Sequence, residues 1–63
     1  MKEITKEDLY VLIKHGVVRN TRKGIIDTEG NPAGFYRTRN KRYIEDRFAD
    51  LAKKIIEGVH DGL

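Results

Sequence analysis

The spacing of hydrophobic residues predicts a helix near the start of the chain. Apolar residues recur there at i, i+3, i+4 spacing, at Leu9, Leu12 and Ile13. Thr5 is a favourable N-cap, and Asp8 three residues later completes an approximate capping box. Gly16 suits the left-handed position that ends a helix. The pattern therefore predicts a first helix over about residues 5–15.

The last third of the chain carries the most regular helical pattern. At about 100° per residue, six apolar residues fall within one stripe: Ile44, Phe48, Leu51, Ala52, Ile55 and Val59. Acidic residues stand in the first turn and lysines in the last, which complements the helix dipole. We expect a second helix over about residues 44–58, ended by Gly58, and a frayed tail over residues 59–63.

Between these helices the pattern changes to short β-type runs separated by turn residues. A hairpin is predicted over about residues 24–37, because Asp27 suits the first position of a type I turn and Gly30 the left-handed position of a G1 bulge. In this register Ile26 opposes Pro32. Three residues then share the core face: Ile25, Ala33 and Phe35. Two lie on the opposite face: Ile26 and Tyr36.

The remaining segments are short. Residues 17–19 form a β-type run, residues 19–24 a loop, and residues 43–44 fit either a third strand or the start of the second helix. We expect one α+β domain over residues 1–63, in the order α-β-β-(β)-α, with both helices on one face of an antiparallel hairpin or three-stranded sheet. In fold alone, a hairpin sheet followed by a C-terminal helix is similar to the three-stranded DNA-binding domains that insert a sheet into the major groove.

Composition narrows the class of protein. A chain of 63 residues, 38% hydrophobic and 37% charged, fits a small globular domain whose core gives only marginal stability to a monomer. It has no cysteine, so a homodimer is one remaining route to greater stability. The sequence contains neither a membrane-spanning apolar run nor a signal peptide at its start. We therefore expect a cytoplasmic protein without membrane contact.

Residues suited to catalysis or metal binding are few. His15 falls at the end of the first predicted helix, where a cation is favourable, and His60 falls in the predicted tail. Asp27 and Glu29 lack the spacing of a calcium loop. Gly-rich phosphate loops, zinc-binding helix motifs and nucleophile elbows are absent. We expect no catalytic residue, metal site, cofactor or small-molecule substrate.

Positive charge is concentrated in the middle of the chain. Residues 14–47 carry nine cations and four anions, a net charge of +5 in a protein of net charge +3. If the first strand pairs beside the hairpin, the loops on both sides of the hairpin meet at one end of the sheet. Seven cations and two tyrosines would then gather there: Arg19, Arg22, Lys23, Arg37, Arg39, Lys41, Arg42, Tyr36 and Tyr43.

Cations beside aromatic rings are typical of nucleic-acid-binding surfaces. The favoured hypothesis is a small non-catalytic nucleic-acid-binding or regulatory protein, in which these cations contact phosphates and the tyrosines supply stacking or packing. The alternative is a protein–protein interaction module or homodimeric regulator without a nucleic-acid role. It is suggested by apolar residues outside the main stripes, such as Tyr10, Val11 and Ile56.

Overall fold

A computed structural model of the protein describes residues 1–61, with side chains described up to residue 58. The elements are β1 (Lys2–Ile4), α1 (Lys6–Lys14), β2 (Val18–Thr21), β3 (Gly24–Asp27), β4 (Pro32–Thr38), β5 (Lys41–Ile44) and α2 (Asp46–Asp61). The strands form one antiparallel sheet in the order β1-β5-β4-β3-β2. The α+β class is confirmed, whereas the expected hairpin or three-stranded sheet is wrong because the sheet has five strands.

Both ends of α1 have the predicted caps. The Asp8 backbone N–H donates to Thr5 Oγ1 at 3.1 Å. At the other end, the Gly16 N–H donates to the Ile13 carbonyl oxygen at 3.0 Å. The Val17 N–H donates to the Leu12 carbonyl oxygen, also at 3.0 Å. These two bonds define a Schellman motif, which satisfies carbonyl groups at the end of the helix.

The two edge strands were not predicted in full. β1 has only three residues, too few for an alternating pattern to be recognised, yet it buries Ile4 opposite Arg42 of β5. β2 extends to Thr21 and pairs with β3 along its whole length. The loop expected over residues 19–24 is therefore reduced to Arg22 and Lys23.

The turn between β3 and β4 has the predicted geometry. The Gly30 N–H donates to the Asp27 carbonyl oxygen at 3.1 Å, and Gly30 has a φ of 85°, which favours glycine. Ile26 opposes Pro32 as expected, but Ile25 opposes Gly34 instead of Ala33 because a β-bulge intervenes. The extra residue in β4 inverts the alternation beyond it.

Residues 43–44 belong to β5, which settles the question that the sequence left open. α2 begins at Asp46 and continues through Gly58 to Asp61. The expected end of the helix at Gly58 is therefore wrong, as is the expected tail over residues 59–61; residues 62–63 lie outside the described part. Gly58 has no positive φ, so its backbone does not take the form of a helix stop.

One face of the sheet packs against both helices and forms the core. Its largest fully buried side chains come from α1 and three strands: Leu12, Val18, Ile25 and Ile44. The strands approach closely at Gly34, where an added Cβ would collide with the backbone oxygen of Tyr43 and meet Ile44 Cα at 3.0 Å. Neither helix is long and apolar enough, over the residues described, to cross a membrane.

Candidate nucleic-acid interface

The sheet face directed away from the helices, referred to as the open face, carries residues at alternate strand positions. It is formed by Glu3, Arg19, Ile26, Pro32, Phe35, Arg37, Lys41 and Tyr43. Phe35 and Tyr43 face each other across β4 and β5, near the middle of the sheet. Their ring centroids lie 5.5 Å apart at an interplanar angle of 27°. The two rings therefore form a stacked pair, of which Phe35 is 45% exposed.

The bulge in β4 explains why Phe35 lies on the open face rather than in the core. Ala33 and Gly34 both lie opposite Ile25, so Ala33 turns inwards and is fully buried. The carbonyl oxygen of Ala33 accepts the Glu45 N–H at 2.9 Å, which ties the bulge to the start of α2. The prediction that Phe35 belongs to the core face is therefore wrong. The glycine inside the strand was the available signal for this bulge.

Tyr36, the next residue of β4, points to the opposite side of the sheet. Its hydroxyl accepts a hydrogen bond from Asn20 Nδ2 at 2.9 Å, and the Arg42 guanidinium carbon lies 5.5 Å from its ring centroid. These side chains line an open groove of about 410 Å³ beside α1. Of the two predicted tyrosines, only Tyr43 is on the open face. Tyr36 and Arg42 are separated from it by the sheet.

Two hairpin turns lie side by side at one end of the sheet, referred to as the turn end. One contains Arg22 and Lys23 between β2 and β3, and the other contains Arg39 between β4 and β5. The two hairpins occupy neighbouring places in the sheet and are offset sideways by about 10 Å. The turn between β4 and β5 also extends further along the strand axis, because β4 continues to Thr38 whereas β3 begins at Gly24, beside Phe35. The predicted meeting of both loops at one end of the sheet follows from the pairing of β2 with β3.

Each of these turns is stabilised by a threonine that is the last residue of the preceding strand. In the first, the Lys23 N–H donates to Thr21 Oγ1 at 3.2 Å. In the second, Thr38 Oγ1 accepts the N–H groups of Asn40 at 3.3 Å and Lys41 at 3.1 Å. Arg42 Nη2 also donates to the Arg39 carbonyl oxygen at 3.4 Å, so Arg42 supports this turn from the helix side. The turns are short and internally bonded.

The charges at the two ends of the sheet differ. None of the seven predicted cations forms an ion pair with a carboxylate of residues 1–58. At the opposite end, Arg47 pairs with Glu45 at 2.7 Å and approaches Asp27 at 3.9 Å. Six of the predicted cations lie on the open face or at the turn end, and Arg42 is the exception. Five of these six cations lie between the aromatic pair and the turn end or in the turns themselves, whereas Arg19, opposite Ile26, lies on the other side of the pair.

Across the described residues, no group of three or more His, Cys, Asp or Glu side chains is arranged to hold a metal ion. Comparison with known protein families, curated proteins and solved structures gives no match for this chain.

Proposed function

We propose that this protein is a small, non-catalytic nucleic-acid-binding or regulatory protein that contacts phosphates with the cations of its open face and turn end. The observation that carries this proposal is the position of cations, without described carboxylate partners, near the stacked pair of Phe35 and Tyr43, of which Phe35 is exposed and Tyr43 half-buried. Surfaces that bind nucleic acids combine phosphate-directed Lys and Arg with aromatic faces in this way.

The geometry of the turn end supports phosphate binding. Arg22 and Arg39 each follow a threonine whose hydroxyl holds the turn. Guanidinium groups bind phosphate oxygens in bidentate geometry, and a backbone already held in place loses less entropy on binding. Two such arginines on separate neighbouring turns can contact more than one phosphate.

The proposal is tested by fluorescence anisotropy of labelled nucleic acids at about 50 and about 200 mM salt. Each phosphate contact contributes a log–log salt slope of about −0.7 on single strands and about −0.9 on B-DNA. The double substitution Arg22→Gln with Arg39→Gln removes two contacts. It is expected to weaken binding and to reduce the slope by about 1.4 on single strands.

A matched control removes the same charge elsewhere. Lys53 and Lys54 are exposed on α2, so Lys53→Gln with Lys54→Gln is expected to leave the affinity almost unchanged. Equal losses from the two double substitutions would mean that net charge, and not this surface, governs binding. No binding to any nucleic acid at the lower salt concentration would overturn the proposal.

A second candidate function is a protein–protein interaction module or homodimeric regulator. It is favoured by the groove beside α1, where Tyr10 is 63% exposed next to the apolar side chains of Leu9 and Ile13. Exposed apolar patches of this kind commonly mark interfaces. A dimer that persists at every salt concentration in analytical ultracentrifugation, with no nucleic-acid binding, is the outcome that favours this function.

A further inference from the structure

We infer that the open face takes single-stranded nucleic acid, with bases stacked on Phe35 and Tyr43 and phosphates placed at the turn end. This inference rests on the proposed function and specifies the form of nucleic acid that the site binds. Three observations support it: the position of the aromatic pair in the sheet, the width of the open face, and the distribution of charge around the two rings.

The aromatic pair lies in the interior of a broad sheet. β4 is the central strand of five and β5 is its neighbour, so both rings are flanked by further strands. Four spacings of about 4.8 Å make the open face about 19 Å across. The major groove of B-DNA is about 12 Å wide. The open face is therefore too wide to enter that groove, and Phe35 and Tyr43 cannot reach duplex base edges there.

The chemistry of the two rings also favours single-stranded nucleic acid over a duplex. Base faces in a duplex are covered by neighbouring bases, whereas an unpaired strand can turn its bases outwards to stack on aromatic side chains. Phe35 is exposed, and its ring and that of Tyr43 are only 27° from parallel. Because the two rings stack on each other, an unpaired base can stack on the outer face of the pair, whereas a base inside a duplex cannot.

The charges around the two rings favour one position for the sugar–phosphate backbone of the bound nucleic acid. Arg37 and Lys41 are two residues from Phe35 and Tyr43 along β4 and β5, towards the turn end. Glu3 of the edge strand β1 lies beside the pair, directly opposite Tyr43 and at the same level along the strands. Phosphates are attracted to the turn end and repelled near Glu3. The sugar–phosphate chain is thus placed along the turn end, with its bases directed towards the two rings.

The experiment uses the full chain and a fluorescent reporter at the site. The protein contains no tryptophan, so the Phe35→Trp substitution introduces a single one. Unstructured oligothymidine and oligouridine of about 10 nucleotides are expected to quench its fluorescence, because stacked bases contact the indole directly. A duplex of the same length, bound to saturation, is expected to leave the fluorescence nearly unchanged. Equal quenching by duplex and single strand would overturn the inference.

Removing the Phe35 ring and measuring the affinity for single strands and duplexes tests the inference independently. Phe35→Ala is expected to weaken single-strand binding roughly 5- to 100-fold and to change duplex binding little. Tyr10→Ala removes an exposed ring from α1, on the other side of the sheet, and is expected to change neither. Thermal melts establish that both variants are folded. If Phe35→Ala fails to fold, the Phe35→Trp quenching experiment alone decides the inference.

Failure of the inference can be distinguished from failure of the proposed function. If single strands and duplexes bind with equal affinity and Phe35→Ala changes neither, while Arg22→Gln with Arg39→Gln weakens both, the protein binds phosphates without stacking. The proposed function then stands and the inference is overturned. If no nucleic acid binds, both are overturned.

Discussion

The two faces of the sheet use the same strands for different purposes. On the helix-covered face, Ile25 and Ile44 are almost completely buried in the core. On the open face, Phe35 and Tyr43 form a ring pair near several cations. Tyr43 and Ile44 are consecutive residues, yet one packs on the open face and the other in the core. Strand alternation therefore keeps stability and the proposed binding surface apart in a chain of only 63 residues.

This separation has a practical consequence. Substitutions on the covered face are expected to change the free energy of unfolding, and substitutions on the open face are expected to change binding.

The largest effect is expected at Gly34, where the backbone of β5 leaves no room for a Cβ atom on β4. Gly34→Ala places a methyl group against the Tyr43 backbone oxygen and Ile44 Cα, and neither backbone atom can move without disturbing the sheet. We expect a loss of about 3 kcal/mol in the free energy of unfolding, measured by urea denaturation. A domain of this size has only about 3–9 kcal/mol in total, so the substitution would remove roughly a third or more of its stability.

Gly58→Ala is the control for that substitution. Gly58 lies within α2, and an added Cβ meets no atom within 4 Å. Alanine at a helical glycine is expected to raise stability by about 0.5–1 kcal/mol. A loss of stability in Gly58→Ala would mean that the helix ends at this residue.

A smaller loss is expected at Asp27, a buried polar residue at the edge of the covered face. Its Oδ1 accepts the N–H groups of Glu29 and Asn31, each at 2.9 Å. Asp27→Ala removes both bonds and is expected to cost about 2 kcal/mol in thermal unfolding. Asp27→Asn retains an acceptor oxygen and loses only the attraction to Arg47, so a loss below about 1 kcal/mol is expected. Equal losses would show that the charge matters more than the turn.

The smallest stability effect is expected for two arginines on opposite faces. Arg37→Gln on the open face is expected to weaken nucleic-acid binding and leave the melting temperature unchanged. Arg42→Gln removes a cation from the Tyr36 ring and is expected to lower stability by about 1 kcal/mol with little change in binding. Anisotropy and thermal melts on both variants check this contrast. The reverse result would place the binding surface on the helix side.

Much of the fold was predictable because local interactions determine it. The caps of α1 at Thr5 and Gly16 and the turn from Asp27 to Gly30 involve residues close together in the chain. Their hydrogen bonds depend on residue type and spacing, which the sequence displays directly. The interior of α2 was predictable for the same reason, since its apolar stripe repeats over several turns.

The unpredicted features depend on contacts between distant residues. β1 is a strand because β5, about forty positions away, offers it a free edge to pair with. The bulge at Ala33 depends on a hydrogen bond from Glu45 and on the close packing at Gly34. No local pattern specifies either contact, so the face occupied by Phe35 could not be assigned from alternation alone.

Residue type and spacing were therefore enough to specify the two helices, the caps of α1, the central turn and the excess of cations between the helices. The side of the sheet on which the cations and aromatic rings of the strands lie depends on the folded structure, because side chains alternate along a strand with a period of two residues. A single inserted residue moves every following side chain to the other face. In β4 that insertion turned Phe35 outwards beside Tyr43 and turned Tyr36 towards the helices.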